Sequence, residues 1–457
     1  MGYRTYTCPI SRRCGGCEWL SVPYPIQLRR KQEEVERLFA SICQEDGCTV
    51  GAIHGMDEPR RFRQKAAAPF APGKGRRVRS GFYEGNSHRI VWCEKCLVEN
   101  PQGRAILNDV ARVTEQLQIP AYEEDRGRGV LRNAVVRCGY ATDEVLLTVV
   151  TNGERLPHAE RFVRMLRSRH PEITSIVQNV NSRRTNAILG RSCVTLWGPG
   201  VMHDELLGCR FEIGPTSFYQ TNPAQTETLY ELAIEGAGLR EGTRVLDAYC
   251  GTGTIGICMA AAARDARIDG VRVTGIEQVG AAVSCARRNA QANELGATCS
   301  FVCADATAYL RTGRRKHSRR HYDVVVMDPP RAGSTPEFLA RVAGLLPKRI
   351  VYVSCNPKTQ LRDLAELRRH DYHVDSNRSR GEGLGRGRAG ARARRAPRRD
   401  RCAGTCRRAW PAAPPGTASP PGPAPGSAGC RRSTARAAPR RPRSARPAPP
   451  RSRAAAD

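Results

Sequence analysis

Cys355, in the run Arg-Ile-Val-Tyr-Val-Ser354-Cys355-Asn356-Pro357, is the residue whose type and setting most favour chemistry. The apolar run predicts a buried strand that stops at the thiol, because Pro357 cannot continue a ladder. A helix, KTQLRDLAELRRH, follows. A thiol at a strand end beside a helix N-terminus is favoured as thiolate. Most cysteines are small buried hydrophobes, and that bland reading suits Cys258, Cys285, Cys299 and Cys303. An accessible thiolate can instead add to an electron-poor carbon such as C6 of a uracil ring. Addition creates an enolate with carbon nucleophilicity at C5, able to accept a methyl group from a sulfonium. Reaching such a base in RNA requires extruding it, at a cost of a few kcal/mol.

The second constellation is Asp247-Ala-Tyr249-Cys-Gly251-Thr-Gly253-Thr254-Ile-Gly256, between the predicted strand TRVLDAY and a helix. Glycines let the backbone approach a ligand closely, and the helix start offers free N–H groups. The next predicted strand, VRVTGIE, ends at Glu277, placed to accept from a ribose diol. The third, SFVCAD, ends at Asp305, placed for an adenine amino group. Gly-x-Gly-x-x-Gly also fits a dinucleotide. The fourth strand, YDVVVMD, ends in Asp328-Pro-Pro-Arg331, a pattern suited to holding a planar base. That combination favours S-adenosylmethionine over NAD.

These side chains need a scaffold, and the apolar pattern supplies one. From Arg244, short β-branched runs alternate with helical segments, which predicts a parallel, doubly wound sheet with helices on both faces. The fold expectation is α/β: a doubly wound, Rossmann-like methyltransferase domain over 213–376, preceded by a Cys-bearing α+β region, with a disordered C-terminal tail. Residues 1–100 read as a Cys-bearing RNA-contact region. Tyr24 to Ile42 is one predicted helix with Val35, Leu38, Phe39 and Ile42 on one face. Residues 101–212 read as a central α+β domain with strands at AVVRCGY, EVLLTVVTN, SIVQNVN and AILG.

Cys8-x5-Cys14-x2-Cys17, with Cys93 and Cys96 far downstream, forms a third constellation. Four thiolates at such spacing fit zinc or a [4Fe–4S] cluster, and spacing alone does not separate them. Two glycines between Cys14 and Cys17 suit chelation better than packing.

The net charge of +30, from 74 basic and 44 acidic residues, favours a polyanionic partner such as nucleic acid. Arg29, Arg30, Lys31, Arg60, Arg61, Arg63, Lys65, Lys74, Arg76, Arg77 and Arg79 crowd the first 80 positions, with Phe62 and Tyr83 among them. Most charge runs are solvated faces, so the cluster rather than any single residue carries the expectation of phosphate contact. There is no apolar leader at the N-terminus and no apolar run of membrane-spanning length. Nineteen cysteines without such a leader read as thiols or ligands in a reducing compartment. A cytoplasmic monomer is expected.

Taken together, Ser217-Phe-Tyr-Gln220-Thr-Asn222, DAYCGTGTIG, Asp328-Pro-Pro-Arg331 and Val353-Ser-Cys355-Asn-Pro resemble the bacterial uracil-C5 RNA methyltransferases that modify ribosomal and transfer RNA. The resemblance covers Cys8 to about Asp375. It implies Cys355 as nucleophile, and Gln220, Tyr249, Glu277, Asp305 and Asp328 as contacts to S-adenosylmethionine or the flipped uracil, with Thr254 also at a donor-contacting position. It further implies a [4Fe–4S] cluster on Cys8, Cys14, Cys17 and Cys96, with Cys93 spare, and a structural role for that cluster. The family often carries an N-terminal oligonucleotide-binding barrel. The first Cys here is residue 8, so the chain looks like the short form acting on 23S ribosomal RNA.

Two other functions compete. An adenine amino-group methyltransferase would carry an aromatic after Pro-Pro, where Arg331 stands. A non-catalytic RNA-binding iron–sulfur protein draws its support from the C-terminus. There the family's Asp-Met-Phe-Pro and His-x-Glu segments, the latter supplying the base for the C5 proton, are not matched after Asp375. Residues 377–457 carry 21 Arg, no Lys and 3 acidic residues. This is expected either of a disordered basic tail or of a G+C-rich gene read out of frame near Ser376. Either way the expectation is a sheet without its last strands. Glu382, between glycines, is not assigned as the base.

Overall fold

The computed structural model describes residues 5–85, 87–312, 321–380 and 388–395. Two short-loop helices open the chain, α1 (Ser11–Cys14) and α2 (Tyr24–Asp46). A first sheet then follows from β1 (Lys65–Pro72), β2 (Val78–Tyr83), β3 (Ile90–Trp92), β4 (Leu131–Cys138), β5 (Val145–Thr151), β6 (Ile173–Val180) and β7 (Ser192–Trp197), in the order β3-β2-β1-β4-β5-β6-β7. The β1–β4 pairing carries this sheet across the boundary expected at residue 100. Helices α3 (Pro101–Gln116) and α4 (Ala159–Arg169) cover it, burying Ile106, Leu107, Val110, Phe162 and Leu166 against Leu147, Val149 and Ile176.

The strand expected at AILG lies at β7 instead. Asn181 Nδ2 donates to the carbonyls of Ala187 and Ile188 at 2.8 and 3.0 Å, and Asn179 Oδ1 accepts from Gly190 N at 2.7 Å. Side-chain amides thus take the backbone groups a strand would need.

A hairpin, β8 (Met202–Leu206) and β9 (Cys209–Ile213), leads to the second half: α5 (Pro223–Ala237), β10 (Arg244–Ala248), α6 (Thr254–Asp265), β11 (Arg272–Glu277), α7 (Gly280–Ala292), β12 (Cys299–Cys303), α8 (Ala306–Thr312), β13 (Val324–Met327), α9 (Pro336–Gly344), β14 (Arg349–Ser354), α10 (Pro357–Arg368), β15 (Tyr372–Arg380) and β16 (Arg388–Arg395). The sheet order is β12-β11-β10-β13-β14-β16-β15. Strands β10 to β14 are parallel, as expected, and the order reverses at β10/β13, where ligands of such sheets bind.

Alternate residues of each strand feed two cores. Val245, Val273, Val324, Val326, Val351 and Val353 face α5, α6 and α7. Leu246, Ile276, Val325, Met327, Ile350 and Tyr352 face α8, α9 and α10. The second face also receives α2, whose Val35, Phe39 and Ile42 are buried there with Leu38 half-buried. The apolar stripe of α2 was legible in sequence. Its destination, a sheet some 200 residues downstream, was not.

Order does not stop near Ser376. Strand β15 continues to Arg380, and β16 inserts antiparallel between β14 and β15, pairing Ile350 with Ala393, Tyr352 with Ala391 and Ser354 with Ala389. This corrects the expectation of a sheet missing its last strands. The composition of RAGARARR reads as disorder, but its Arg/Ala alternation has the period of a strand. The disordered tail expected over the rest of 377–457 and the position of Glu382 lie outside the described residues. Among the described residues, no helix is long and apolar enough to cross a membrane.

Candidate functional site

The Gly-rich turn is built on a buried carboxylate. Asp247 lies within β10, almost wholly enclosed, and its Oδ2 accepts from Gly256 N at 3.0 Å, tying the first turn of α6 to the strand. A Cβ at Gly256 would sit 2.9 Å from that oxygen and 2.8 Å from Val273 Cγ1, so only glycine permits this approach. Tyr249 takes a left-handed conformation (φ 63°), costly for a residue with a bulky side chain, and Gly251 and Gly253 continue it at φ 55° and 82°. A Cβ built at Gly251 meets nothing within 4 Å, so the turn faces open space there.

Glu277, at the end of β11, bridges that turn to its own: Oε2 accepts from Gly251 N at 3.3 Å and Oε1 from Val279 N at 2.8 Å. Thr254 Oγ1 lies 2.7 Å from the hydroxyl of buried Tyr230. Burial pushes the Asp247 carboxyl up to about 7, and the nearby Asp328 and Glu277 carboxylates push the same way. Three acids thus gather at the strand ends, a potential that suits a cationic sulfonium donor. This electrostatic setting and the open glycine turn fit S-adenosylmethionine.

A stability prediction follows from Asp247. Its raised pKa means that the folded protein holds the proton more tightly than the unfolded chain. The resulting stabilisation is fully present below the ordinary carboxylate range, about 4, and is lost as pH rises to about 7. Asp247→Asn keeps an acceptor for Gly256 N and removes the titration. Thermal melts from pH 4 to 8 should show the wild type losing stability relative to the variant across this window; parallel curves would refute the assignment.

The remaining expected contacts are placed less uniformly. Tyr249 packs its ring against Phe338 of α9, centroids 5.2 Å apart, with its hydroxyl 3.5 Å from Ser334 Oγ. Asp305 is exposed, and its Oδ1 accepts from Ala308 N at 2.9 Å, so it also caps α8. Gln220 is buried at the seam with the first sheet, lining a small cavity with Lys65, Arg137 and Tyr219.

The acceptor side is formed by adjacent strands β13 and β14, paired in parallel with Met327 opposite Tyr352. Asp328-Pro-Pro-Arg331 leaves one strand and Ser354-Cys355-Asn356-Pro357 the other. Polar bonds stitch the two loops together. The Arg331 carbonyl accepts from Asn356 Nδ2 at 3.5 Å and Thr359 Oγ1 at 3.3 Å. Asn356 caps α10 through Lys358 N at 3.2 Å, and its own N–H donates to Ser354 Oγ at 3.0 Å. Cys355 is held between these anchors and is partly exposed. Beneath it, buried Asp363 accepts from Tyr352 OH at 2.6 Å and Ser334 N at 2.7 Å. Sequence reasoning missed Asp363 and Tyr230, and gave Asp247 no role of its own within the turn motif, because a polar residue inside an apolar run or a helix reads as ordinary until burial is known.

Cys8, Cys14, Cys17, Cys93 and Cys96 line one cavity with Leu20, Phe82 and Leu97. Burial pushes the Cys17 thiol up to about 11, and Cys96, Cys14 and Cys8 add to the rise. Cys14 is raised by burial and by Cys96 and Cys8. Cys93 hydrogen-bonds Cys96, which brings Cys96 down to about 7 and sends Cys93 up. The thiols therefore converge, but among the described residues no group of three or more His, Cys, Asp or Glu is arranged to hold a metal ion. As a donor set, thiols crowded into one cavity, with Cys14 and Cys17 raised by burial and by their neighbours, suit a group that supplies positive charge.

The basic cluster is partly redirected. Lys31 is buried, its ammonium 5.7 Å from the Trp19 ring centroid, and Phe62 is buried in a small core with Leu20 and Val98. Neither is placed to meet RNA. Burial, with Arg137 nearby, holds Lys65 down at about 8. Arg60 pairs with Glu58 at 2.6 Å and lies over Tyr6. Tyr83 remains exposed.

Residues 207–376 match the family described as tRNA (Uracil-5-)-methyltransferase. An uncharacterized RNA methyltransferase of Halalkalibacterium halodurans is 38% identical over 367 residues, covering 80% of this chain and 78% of that protein. One from Staphylococcus aureus is 39% identical over 356 residues, covering 78% and 76%. Among solved structures, the Pyrococcus abyssi tRNA (uracil-54, C5)-methyltransferase in complex with S-adenosyl-L-homocysteine aligns with a TM-score of 0.65 at 26% identity, over 83% of this chain and 85% of that one. These likenesses decide the Gly-rich turn for a methyl donor rather than a dinucleotide, and the chain belongs to the S-adenosylmethionine-dependent RNA methyltransferases, with a tRNA (Uracil-5-)-methyltransferase family domain over residues 207–376.

Proposed function

We propose that the protein methylates C5 of a uridine in 23S ribosomal RNA through a covalent bond between Cys355 and C6. The observation that carries this reading is Cys355 at the end of β14, bonded through Asn356 to the Asp328-Pro-Pro-Arg331 loop of the neighbouring strand. In this reading Cys355 Sγ adds to C6 of the extruded base and the charge moves onto the C4 carbonyl, leaving C5 nucleophilic. Bound S-adenosylmethionine supplies the electrophilic methyl group. Asp328, with Gln220, holds the base or donor in line, while Glu277, Tyr249, Thr254 and Asp305 hold the donor's nucleoside and methionine portions. Loss of the C5 proton to a base then lets the thiolate leave and restores the ring. The family's His-x-Glu base is not matched in this sequence, so elimination is the step expected to be slow.

A second reading, transfer RNA as substrate, is favoured by the likeness to the Pyrococcus enzyme. Mapping 5-methyluridine by mass spectrometry in RNA from cells with and without the gene separates the two. Loss of one 5-methyluridine from 23S RNA supports the first reading, and loss from transfer RNA alone replaces it with the second. We further assign a [4Fe–4S] cluster with a structural role to Cys8, Cys14, Cys17 and Cys96, because these thiols share one cavity and methyl transfer needs no electron.

A further inference from the structure

Helix α2 ends in a left-handed Gly47 (φ 68°), with Gly47 N and Cys48 N both donating to the Cys43 carbonyl, the latter at 3.0 Å. In this kind of helix ending the third residue from the end and the second beyond the cap normally touch through apolar side chains. Here those two positions are Cys43 and Cys48. Their sulfurs lie 3.1 Å apart and both residues are partly accessible. Closing to the disulfide length of about 2 Å needs a shift of only about 1 Å.

The geometry points to Cys43 and Cys48 as a reversible dithiol–disulfide site, oxidised by a small disulfide such as oxidised glutathione. Cys43 attacks the glutathione disulfide and releases one glutathione thiolate. Cys48 then loses its proton, attacks the Cys43 sulfur and releases the second. Two protein thiols and one glutathione disulfide thus become one protein disulfide and two reduced glutathiones. Burial and the hydrogen bond to Cys43 push the Cys48 thiol up to about 12, which gives the opening attack to Cys43 and the resolving role to Cys48. In a reducing compartment such disulfides are transient and sensing rather than structural.

The location gives the site a consequence. Asp46, inside the loop that the two cysteines would close, accepts from Val374 N at 2.8 Å and from His373 Nδ1 at 3.1 Å; shortly after Cys48, Gly51 N donates to the Asn377 carbonyl at 2.7 Å. Both contacts are with β15. The disulfide would therefore close a ring around the first of these attachments and stiffen the segment leading to the second.

The test uses the full-length reduced protein, handled anaerobically and treated with excess oxidised glutathione, then alkylated and digested with trypsin. The peptide Leu38–Arg60 contains these two cysteines and no other. It should lose both alkyl labels together and weigh two hydrogens less. In Cys48→Ser, Cys43 should instead retain glutathione as a mixed disulfide. Amide exchange at Gly51 should slow in the oxidised wild type. Two alkylated thiols after treatment, a stable mixed disulfide in the wild type, or a bond from either residue to a different cysteine would overturn the proposal.

Discussion

Cys355→Ala should lower methyl transfer by on the order of 10⁴-fold or more, because it removes the group that makes C5 a nucleophile rather than one that improves an existing reaction. The substitution should leave S-adenosylhomocysteine binding within about threefold, since the residues proposed for the donor, Glu277, Tyr249 and Thr254, lie on β11 and the β10–α6 turn, away from the Cys355 loop. Folding should also survive: the β14–α10 junction is held by Asn356 over Lys358 N and by Asp363 on Tyr352, neither of which uses the thiol. Calorimetry for the donor product and a radiolabelled methyl assay on RNA separate the two effects. Comparable loss of both would place Cys355 in the donor site instead, and retained methyl transfer would remove it from the chemistry.

Cys14→Ser should abolish cluster loading. Protein purified anaerobically should carry about four iron and four sulfide per chain, and the variant should lose most of both. The same change should loosen the N-terminal segment, because the apolar core there is small: Leu20, Phe62 and Val98 are its fully buried members. With so few buried side chains, the segment would be held chiefly by the cross-link that the proposed cluster supplies. Cys93→Ser should retain iron, since Cys93 serves here as a hydrogen-bond partner of Cys96. Stoichiometric zinc without sulfide would replace the cluster assignment while leaving the methyltransferase reading in place.

What the sequence made legible was whatever depends on short-range period and turn chemistry. The alternation of apolar runs with helices located β10 to β14 and the helices α6, α7 and α9 between them, though not the short α8, because parallel strands buried on both faces have few other sequence solutions. The same strands end at Glu277, Asp328 and Cys355, so the strand ends that gather the proposed site were readable before any coordinates. Contacts distant in sequence were not. Nothing in Val35 or Phe39 says that α2 packs against β15 and α10, on the second face of the catalytic sheet. Nothing in Lys31 or Phe62 distinguishes an RNA contact from a buried side chain until Trp19 and Leu20 are seen against them. Asp247 looked like part of a motif, and its burial shows it to be the acceptor that holds α6 to the sheet. Strand β16 was hidden by composition: Arg-rich sequence signals solvation, yet the alternation across 388–395 pairs its backbone with both β14 and β15.

The claim at the centre of this account is a covalent Cys355–uridine intermediate, and RNA carrying 5-fluorouridine at the target position tests it most directly. Fluorine at C5 cannot leave as a proton does, so methyl transfer should proceed once and the adduct should persist. A denaturation-resistant protein–RNA complex that requires S-adenosylmethionine is expected, with the RNA mapped by peptide mass to Cys355 and no complex from Cys355→Ala. A complex of equal yield from the alanine variant, or RNA attached at any other cysteine, would contradict it.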